Sequence, residues 1–197
     1  NFPSSAALLV GNTIVAATHE ERFSRVKNEE RHPAESIQFC LNYAKVDTKS
    51  VDIVALTSHE MSYEQAYFRT SRWSIQDYLT EQHNRWRPWL IEGQAKPELK
   101  DIFPEKGDST VFPPGWTDLT ESLGGTNAAF RQVREQLFAD WFGVPEERIR
   151  TVEHHLSHAY YSYYASNFRG EAVLAITLDG WGDGLNFTLG YFDEFGK

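Results

Sequence analysis

Three histidines stand close together near the C-terminal end of the chain, in the stretch EHHLSHAYYSYYASNF that spans residues 153–168. His154 and His158 are four residues apart, so a helix would carry both imidazole rings on one face, one turn apart. Two side chains in that arrangement are suited to binding one divalent metal ion. His155 would point about 100° away and should have a different role. The alternative is a pair of solvated or hydrogen-bonded histidines that match this spacing by chance.

A metal site built on this histidine pair needs a further ligand and an ion that accepts imidazole. Fe(II), Mn(II) and Zn(II) all accept imidazole, and a carboxylate is the expected type of third ligand. The chain has a single cysteine, Cys40, which lies on the apolar face of a predicted helix and is read as a core residue. A cysteine-rich zinc site and a disulfide within the chain are therefore excluded.

A second group of chemically capable residues is LDGWGDG, residues 178–184. An apolar strand ends in Asp179, which can orient a metal ion, a water or a hydroxyl. Gly180 and Gly182, followed by Asp183, form a turn whose backbone N–H groups can approach a phosphate closely. The alternative is an ordinary glycine-rich hairpin turn with solvated aspartates. The motif matches neither a P-loop nor a dinucleotide-binding fingerprint.

A third group is the basic stretch EERFSRVK, residues 20–27, inside an otherwise acidic chain. Arg22, Arg25 and Lys27 give a local positive charge that can hold a phosphate or a carboxylate, and arginine suits bidentate contact with either. The alternative is a solvated, charged loop.

The regular elements predicted from the apolar pattern surround these three groups. A β-hairpin opens the chain, and strand, glycine-rich turn and strand close it, which suggests the starts of two similar α/β halves. Residues 59–120, rich in tryptophan and proline, are interpreted as an insertion or lid, or else as an irregular surface excursion. The apolar pattern also predicts a helix at 34–46 and strands at 51–58, 148–153, 171–179 (buried) and 185–192. A second helix is predicted after Thr126 or Asn127, with Ala129, Val133, Leu137 and Trp141 on its buried side. A third helix is predicted to begin near the histidines.

Composition limits the classes of partner. The 197 residues carry a formal charge of -9 with a pI of about 5.2, which disfavours general binding to nucleic acid because the chain would repel the phosphate backbone. No apolar run approaches the ~20 residues of a membrane helix, so no membrane partner is expected. A lone cysteine suits a reducing cytoplasm. The first residue is Asn and the only methionine is Met61, so we expect a fragment of a longer protein.

Four stretches, in this order, resemble the N-terminal part of the carbamoyltransferases, the NodU- and CmcH-type enzymes that include O-carbamoyltransferases of antibiotic biosynthesis. The stretches are SSAALLVGNTIVAATHEERFSRVKNEERHP, SIQFCL, EHHLSHAYYSYYASNF and AVLAITLDGWGDG. The resemblance covers roughly residues 4–46 and 148–192.

The resemblance implies a fold as well as an activity. The fold would be the α/β actin-like, sugar-kinase-like (ASKHA) type, and residues 1–197 would be part of an N-terminal Kae1-like domain: its first half and the start of the second. A YrdC-like C-terminal domain, absent from this chain, would make carbamoyladenylate from carbamoyl phosphate and ATP. The Kae1-like domain would then transfer the carbamoyl group to a hydroxyl of a small-molecule acceptor.

The resemblance also implies roles for individual residues. His154 and His158 would bind a divalent metal, with Fe(II) favoured over Mn(II) and Zn(II), and the third ligand would be an aspartate beyond Lys197. His155 would act as a base or orient the intermediate, and Asp179 would also be catalytic.

The remaining predicted site residues would contact the substrate or nucleotide. Gly180, Gly182 and Asp183 would border the carbamoyladenylate, and Arg22 and Arg25 would neutralise phosphate.

Two departures from the family pattern leave other functions open. Phe2 and Pro3 stand where many members have His-Asp, and Asn28 stands where many have histidine. One alternative is a threonylcarbamoyl-transfer enzyme of the same fold acting on tRNA, although the acidic composition disfavours an RNA surface. The other is a non-catalytic ligand-binding or scaffolding domain that has lost its chemistry.

Overall fold

The computed structural model describes residues 4–59, 63–68 and 73–197. Phe2 and Pro3 lie outside the described residues. The chain divides into two units, one of Asn1–Asp47 with Ser62–Phe130 and the other of Thr48–Met61 with Arg131–Lys197. The described strands are β1 (Ser5–Val10), β2 (Thr13–His19), β3 (Val54–Thr57), β4 (Ile149–Val152), β5 (Val173–Gly182) and β6 (Leu185–Phe192). The described α-helices are α1 (Glu21–Ser24), α2 (Ala34–Ala44), α3 (Tyr63–Phe68), α4 (Ile75–Glu81), α5 (Arg87–Leu90), α6 (Leu99–Ile102), α7 (Trp116–Ser122), α8 (Asn127–Phe142) and α9 (His154–Tyr164). This is the mixed α/β composition that the sequence predicts.

In the first unit, the predicted N-terminal hairpin forms and α2 packs against it. β1 and β2 are antiparallel and joined by a turn at Gly11 and Asn12. Helix α2 lies on both strands, and the buried Cys40 places its sulfur 3.6 Å from the Ala6 carbonyl oxygen. The prediction that Cys40 is a core residue is confirmed. Glu20 is also buried and accepts hydrogen bonds from two backbone N–H groups at the start of α2, where a negative charge is favourable.

Much of region 59–120 is helical rather than irregular. Helix α4 begins at a capping box between Ser74 and Asp77, in which each side chain accepts from the other residue's backbone N–H. It continues through a wider π-type turn at Gln82–Trp86 into α5, so residues 75–90 form one helical stretch of changing pitch. The interpretation of the region as an insertion or lid stays a prediction.

The helical part of the first unit encloses a group of buried charges. Arg85 lies with one guanidinium nitrogen 3.1 Å from Glu64 and another 3.3 Å from Glu81, and all three side chains are almost fully buried. Burial, followed by the nearby Glu98 carboxyl, raises the pKa of Glu64 to about 7. Arg85 acts in the opposite direction and keeps the pair attractive.

The second unit contains two small sheets and helix α9. β3 and β4 pair in parallel, with Thr57 opposite Val152, and β5 and β6 pair antiparallel. Helix α9 packs on one face of the β5–β6 hairpin, where Ala159, Tyr163 and Phe192 form a small core. Because side chains alternate along a strand, every second residue of β5 faces α9.

The opposite face of the β5–β6 hairpin is apolar and exposed. It consists of three facing pairs of large side chains: Leu174 with Tyr191, Ile176 with Leu189, and Leu178 with Phe187. The prediction that strand 171–179 is buried is therefore wrong for this face. The apolar run arises because both faces carry apolar residues, while α9 covers one of them.

The helix after Thr126 begins as predicted, but of the four residues predicted to be buried only Ala129 is fully buried. Thr126 accepts a hydrogen bond from the Ala129 N–H and so caps the helix. The buried residues are Ala129, Phe130, Phe138, Ala139 and Phe142, whereas Trp141 is exposed. The large phenylalanine rings set the packed face, and the smaller Val133 and Leu137 are only half-buried.

Across the part of the chain that the structure describes, no helix combines the length and apolarity needed to span a bilayer.

Candidate metal centre

Helix α9 begins at the histidines because acidic side chains satisfy its first backbone N–H groups. Glu153 stands just before the helix and accepts from the N–H groups of His155 and Leu156. Asp183, in the turn between β5 and β6, accepts from the N–H of His154 at 2.8 Å. These N–H groups have no partner within the helix, and negative charge is favourable at this end.

The three side chains His154, His158 and Asp179 meet beside this helix start. The two Nε2 atoms are 3.1 Å apart, as expected for residues one helical turn apart. An oxygen of Asp179 lies 2.5 Å from Nε2 of His154 and 3.3 Å from Nε2 of His158. The predicted pairing of the two rings is present, and Asp179 joins them.

Asp179 reaches the histidines because of its place on β5. Strand alternation puts it on the side of the hairpin that faces α9, together with Thr177. Just after Leu178 the pairing is interrupted, and three residues, 179–181, stand opposite the single Asn186. Asn186 donates a hydrogen bond of 2.5 Å from its side chain to the Gly180 carbonyl oxygen and holds this bulge in place. Bulges beside functional sites commonly redirect a side chain in this way.

The electrostatics of the centre favour an ionised carboxylate. The hydrogen bond from His154 and then the Gly180 N–H hold the pKa of Asp179 below its usual range. One oxygen accepts from the Gly180 N–H at 2.6 Å, and the other faces both rings. Two imidazole nitrogens and one carboxylate oxygen are the donor set of a two-histidine, one-carboxylate metal site.

The spacing of the three ligand atoms fits a metal ion with one small adjustment. Ligands bound at about 2.1 Å lie roughly 3.0–3.5 Å from one another in octahedral or tetrahedral geometry. The separations of 3.1 Å and 3.3 Å fall in this range, whereas the 2.5 Å separation of His154 and Asp179 is that of a direct hydrogen bond. A metal ion would replace that hydrogen bond and separate the two atoms by about half an ångström.

One side of the centre is open and the other is packed. The His154 side chain is only 10% exposed, while those of His158 and Asp179 are 55% and 36% exposed. Gly182 lies against the His154 ring so closely that a Cβ there would overlap the imidazole. The ring of His154 is therefore fixed from behind, and coordination positions on the solvent side remain accessible.

His155 points away from the other two histidines, as predicted, and into the protein. It is fully buried. Its Nε2 lies 3.1 Å from the Leu185 carbonyl, so this nitrogen carries the proton. In the neutral ring, Nδ1 then accepts from the Thr177 hydroxyl at 2.8 Å. The Thr188 hydroxyl oxygen lies 2.6 Å from that of Thr177, so this hydrogen-bonded series joins α9 to both strands of the hairpin.

The glycine-rich segment is only partly a turn: Gly180 and Gly182, where the sequence predicted one, lie at the end of β5, and Asp183 and Gly184 form the hairpin turn to β6. Asp183 and Gly184 both have positive φ, 49° and 82°, as the common two-residue hairpin turns require. Asp183 also accepts from Ser58 and from the His59 N–H, so it is not a solvated turn residue. Whether Gly180, Gly182 and Asp183 contact a nucleotide stays a prediction.

The predicted anion-binding arginines belong to the first unit. Arg22 lies in α1 and Arg25 follows it with left-handed backbone, and both side chains are exposed. Asn28 also has positive φ, and its N–H donates to Glu21. The phosphate-binding role of the arginines stays a prediction.

Sequence reasoning missed three residues that support the centre. Ser58 and Arg134 hold the end of β3 beside Asp183, and Asn186 holds the bulge. The partners of Ser58 and Arg134 are distant in sequence, and Ser58 was signalled only by its position at the end of an apolar strand.

Comparison with known proteins matches this chain to one family. A family model described as "Carbamoyltransferase N-terminus" matches residues 2–195. The chain is 26% identical over 182 residues to Nodulation protein NolNO of Sinorhizobium fredii (strain NBRC 101917 / NGR234), covering 91% of this chain and 19% of that protein. It is 28% identical over 192 residues to Uncharacterized protein sll1178 of Synechocystis sp. (strain ATCC 27184 / PCC 6803 / Kazusa), covering 94% of this chain and 25% of that protein.

The chain thus spans 19% and 25% of the lengths of these two curated relatives. The resemblance seen in the four sequence motifs is confirmed by a family match over nearly the whole chain. This chain belongs to the carbamoyltransferase N-terminus family.

Proposed function

We propose that this chain is the metal-binding part of an enzyme that transfers a carbamoyl group from carbamoyladenylate to a hydroxyl of a small-molecule acceptor. The observation that carries the proposal is the group formed by His154, His158 and Asp179 in a chain of the carbamoyltransferase family. A YrdC-like domain of the same protein would make the carbamoyladenylate from carbamoyl phosphate and ATP. The fold would be the actin-like, Kae1-like type.

The proposed reaction is an acyl-type transfer. The acceptor oxygen forms a bond to the carbamoyl carbon, the bond from that carbon to the adenylate phosphate oxygen breaks, AMP leaves, and the hydroxyl proton is released. A divalent metal bound at the centre would supply Lewis acidity toward the carbamoyl oxygen or the acceptor hydroxyl. Fe(II) suits two imidazoles and one carboxylate, and Mn(II) and Zn(II) are the alternatives.

The chain's own residues would divide the work by position. His154 and His158 present their Nε2 atoms from one face of α9, and Asp179 adds one negative charge from the hairpin. The exposed side of His158 and Asp179 is where an acceptor and the carbamoyl group can enter. His155 would orient the helix rather than exchange protons, since both of its ring nitrogens are occupied by Thr177 and Leu185.

The predicted nucleotide contacts involve the glycine-rich segment and two arginines. The Gly180 N–H and the Asp183 carboxylate already have partners inside the unit, and Gly182 is buried in its pairing with Leu185, so contact with an anion at this segment would have to replace existing contacts. Arg22 and Arg25 have exposed guanidinium groups suited to phosphate.

The proposal is tested with the full-length protein that carries this chain, given carbamoyl phosphate, ATP, Fe(II) and a panel of polyhydroxylated acceptors. Mass spectrometry would follow carbamoyladenylate and carbamoylated acceptor in the wild type, His154→Ala and His158→Ala. His83→Ala changes an exposed histidine of the first unit and is the matched control.

We expect carbamoyladenylate in every variant and loss of transfer only in His154→Ala and His158→Ala. Absence of carbamoyladenylate with every metal tried would overturn the proposed activity. Metal binding without any turnover would favour a non-catalytic ligand-binding domain instead.

A further inference from the structure

We propose that Asp183 is a positioning residue of the metal centre, which fixes the main chain of His154 and thereby the place of its ring. The inference rests on the proposed metal site. It assigns to Asp183 a task inside the protein that differs from the nucleotide contact predicted from the glycine-rich motif.

Asp183 joins three segments of the second unit through its two carboxylate oxygens. One oxygen accepts from the Ser58 hydroxyl at 2.6 Å. The other accepts from two backbone N–H groups, those of His154 and His59, each at 2.8 Å. The turn of the β5–β6 hairpin is thereby tied both to the start of α9 and to the residues just after β3. Hydrogen bonds to an ionised acceptor are the stronger kind.

The β3 end of this arrangement is itself held by Arg134 of α8. Its guanidinium donates to the Ser58 carbonyl oxygen at 2.5 Å and to the Thr57 carbonyl oxygen at 3.1 Å. Burial lowers the pKa of Arg134 to about 10, and the charges of Glu135 and Asp183 oppose that shift, so the group stays positive at neutral pH. Ser58 is buried with a left-handed backbone, φ 73°, which these contacts maintain.

The contact matters to the metal centre because residues 179–183 contact both the backbone and the imidazole ring of His154. Asp183 holds the backbone N–H of His154, Asp179 meets its Nε2, and Gly182 lies against the ring. If the Asp183 contact is lost, the first turn of α9 can shift relative to the hairpin. His154 would then move away from Asp179, while His158, one turn later, would move less.

A simple helix cap would have the same hydrogen bonds but no effect on metal binding. Glu153 separates the two roles, because it caps the same helix end through the N–H groups of His155 and Leu156 rather than that of His154. Asp183→Asn and Glu153→Gln should both weaken the helix start, since each disturbs a cap. Only Asp183→Asn disturbs the tie between the helix and the metal-binding hairpin.

The experiment measures Co(II) binding to the full-length protein by visible absorption and isothermal titration, with wild type, Asp183→Asn, Glu153→Gln and His158→Ala. We expect Asp183→Asn to raise the Kd about 10- to 100-fold, the usual effect of losing a partner that orients a ligand. Glu153→Gln should change the Kd less than about threefold. The signal lost in His158→Ala identifies the Co(II) bound at this centre.

Two outcomes would overturn the inference, and they are distinguishable. If wild type and His158→Ala bind Co(II) equally, the metal site itself is wrong and the proposed function falls with it. If wild type binds at this centre but Asp183→Asn and Glu153→Gln have equal Kd values, the centre stands and Asp183 is only a cap. Should Asp183→Asn not fold, Ser58→Ala removes one of the three contacts, and an unchanged Kd in that variant would count against the inference.

Discussion

The Nε2 atom of His154 and a carboxylate oxygen of Asp179 lie 2.5 Å apart, although the two residues belong to a helix and to the strand that follows it. His158 completes the group at 3.1 Å and 3.3 Å from these two atoms. Two imidazole rings and one carboxylate thus meet in a single group, which is the donor set of a two-histidine, one-carboxylate metal site.

Asp179→Asn should remove most of the metal affinity, because the amide keeps the size of the side chain but loses its charge. We expect the Kd for Fe(II) or Co(II) to rise by at least about 100-fold, since even losing an outer-shell partner costs about 10- to 100-fold. Isothermal titration measures it. Asp140→Asn, on the exposed side of α8, is the control and should leave the Kd unchanged. Equal Kd values for the two variants would contradict the role of Asp179 as a ligand.

Gly182→Ala should damage both folding and metal binding, because the added Cβ would overlap the His154 ring. We expect a loss of about 1–3 kcal/mol in the free energy of unfolding, typical of forcing extra atoms into packed space. Gly190→Ala in the same hairpin is the matched control, since a Cβ there meets nothing within 4 Å. Urea denaturation of both variants measures the difference, and equal stabilities would show that the His154 ring is free to move aside.

His155→Asn should destabilise the second unit because Thr177 and the Leu185 carbonyl would lose their buried partner. The expected cost is about 1–3 kcal/mol for each polar group left unpaired. His158→Ala, with a half-exposed side chain, should cost much less. A variant that keeps wild-type stability but loses all transfer would show instead that His155 acts as a catalytic base.

Glu64 should make the stability of the first unit depend on pH. Its pKa of about 7 in the folded protein lies above the ordinary value of 4.5, so between these pH values the folded chain holds a proton that the unfolded chain releases. The unfolding free energy should therefore be highest below about pH 4.5 for this group and fall as pH rises toward 7. The change is about 1.4 kcal/mol for each unit of raised pKa.

The measurement for Glu64 compares unfolding free energies of wild type and Glu64→Gln from pH 4 to 8, since other carboxylates titrate in both. The difference between the two should grow with pH across the window and then level off. Glu105→Gln, which changes an exposed carboxylate of the same region, is the matched control. A flat difference for Glu64→Gln would show that Arg85 keeps Glu64 ionised throughout.

Local patterns were enough to predict the elements that carry the site. The four-residue spacing of His154 and His158 predicted their shared helix face, and the glycine-rich segment predicted a turn between two strands. The third partner of the histidines could not be predicted from spacing, because Asp179 reaches them only through the packing of β5 on α9. The expectation of a third ligand beyond Lys197 stays a prediction beside this finding.

Other parts of the structure depend on contacts that no local pattern records. The apolar residues of strand 171–179 do not indicate that α9 covers only one face of the strand. The buried side of α8 follows the phenylalanine rings, whose volume outweighs the smaller apolar residues on the predicted side. Asp183 reads as a turn residue in sequence, and its bonds to His154, His59 and Ser58 exist only once three distant segments meet.

The contact between Gly182 and His154 also gives a rule for sorting other sequences. Two histidines four residues apart are common on helix surfaces, and alone they say little about metals. A chain that carries such a pair, but has a larger residue where this chain has Gly182, cannot seat the first ring as it is seated here. Histidine pair and glycine should therefore be inherited together wherever the centre is kept, and the glycine should be free to change where the centre has been lost.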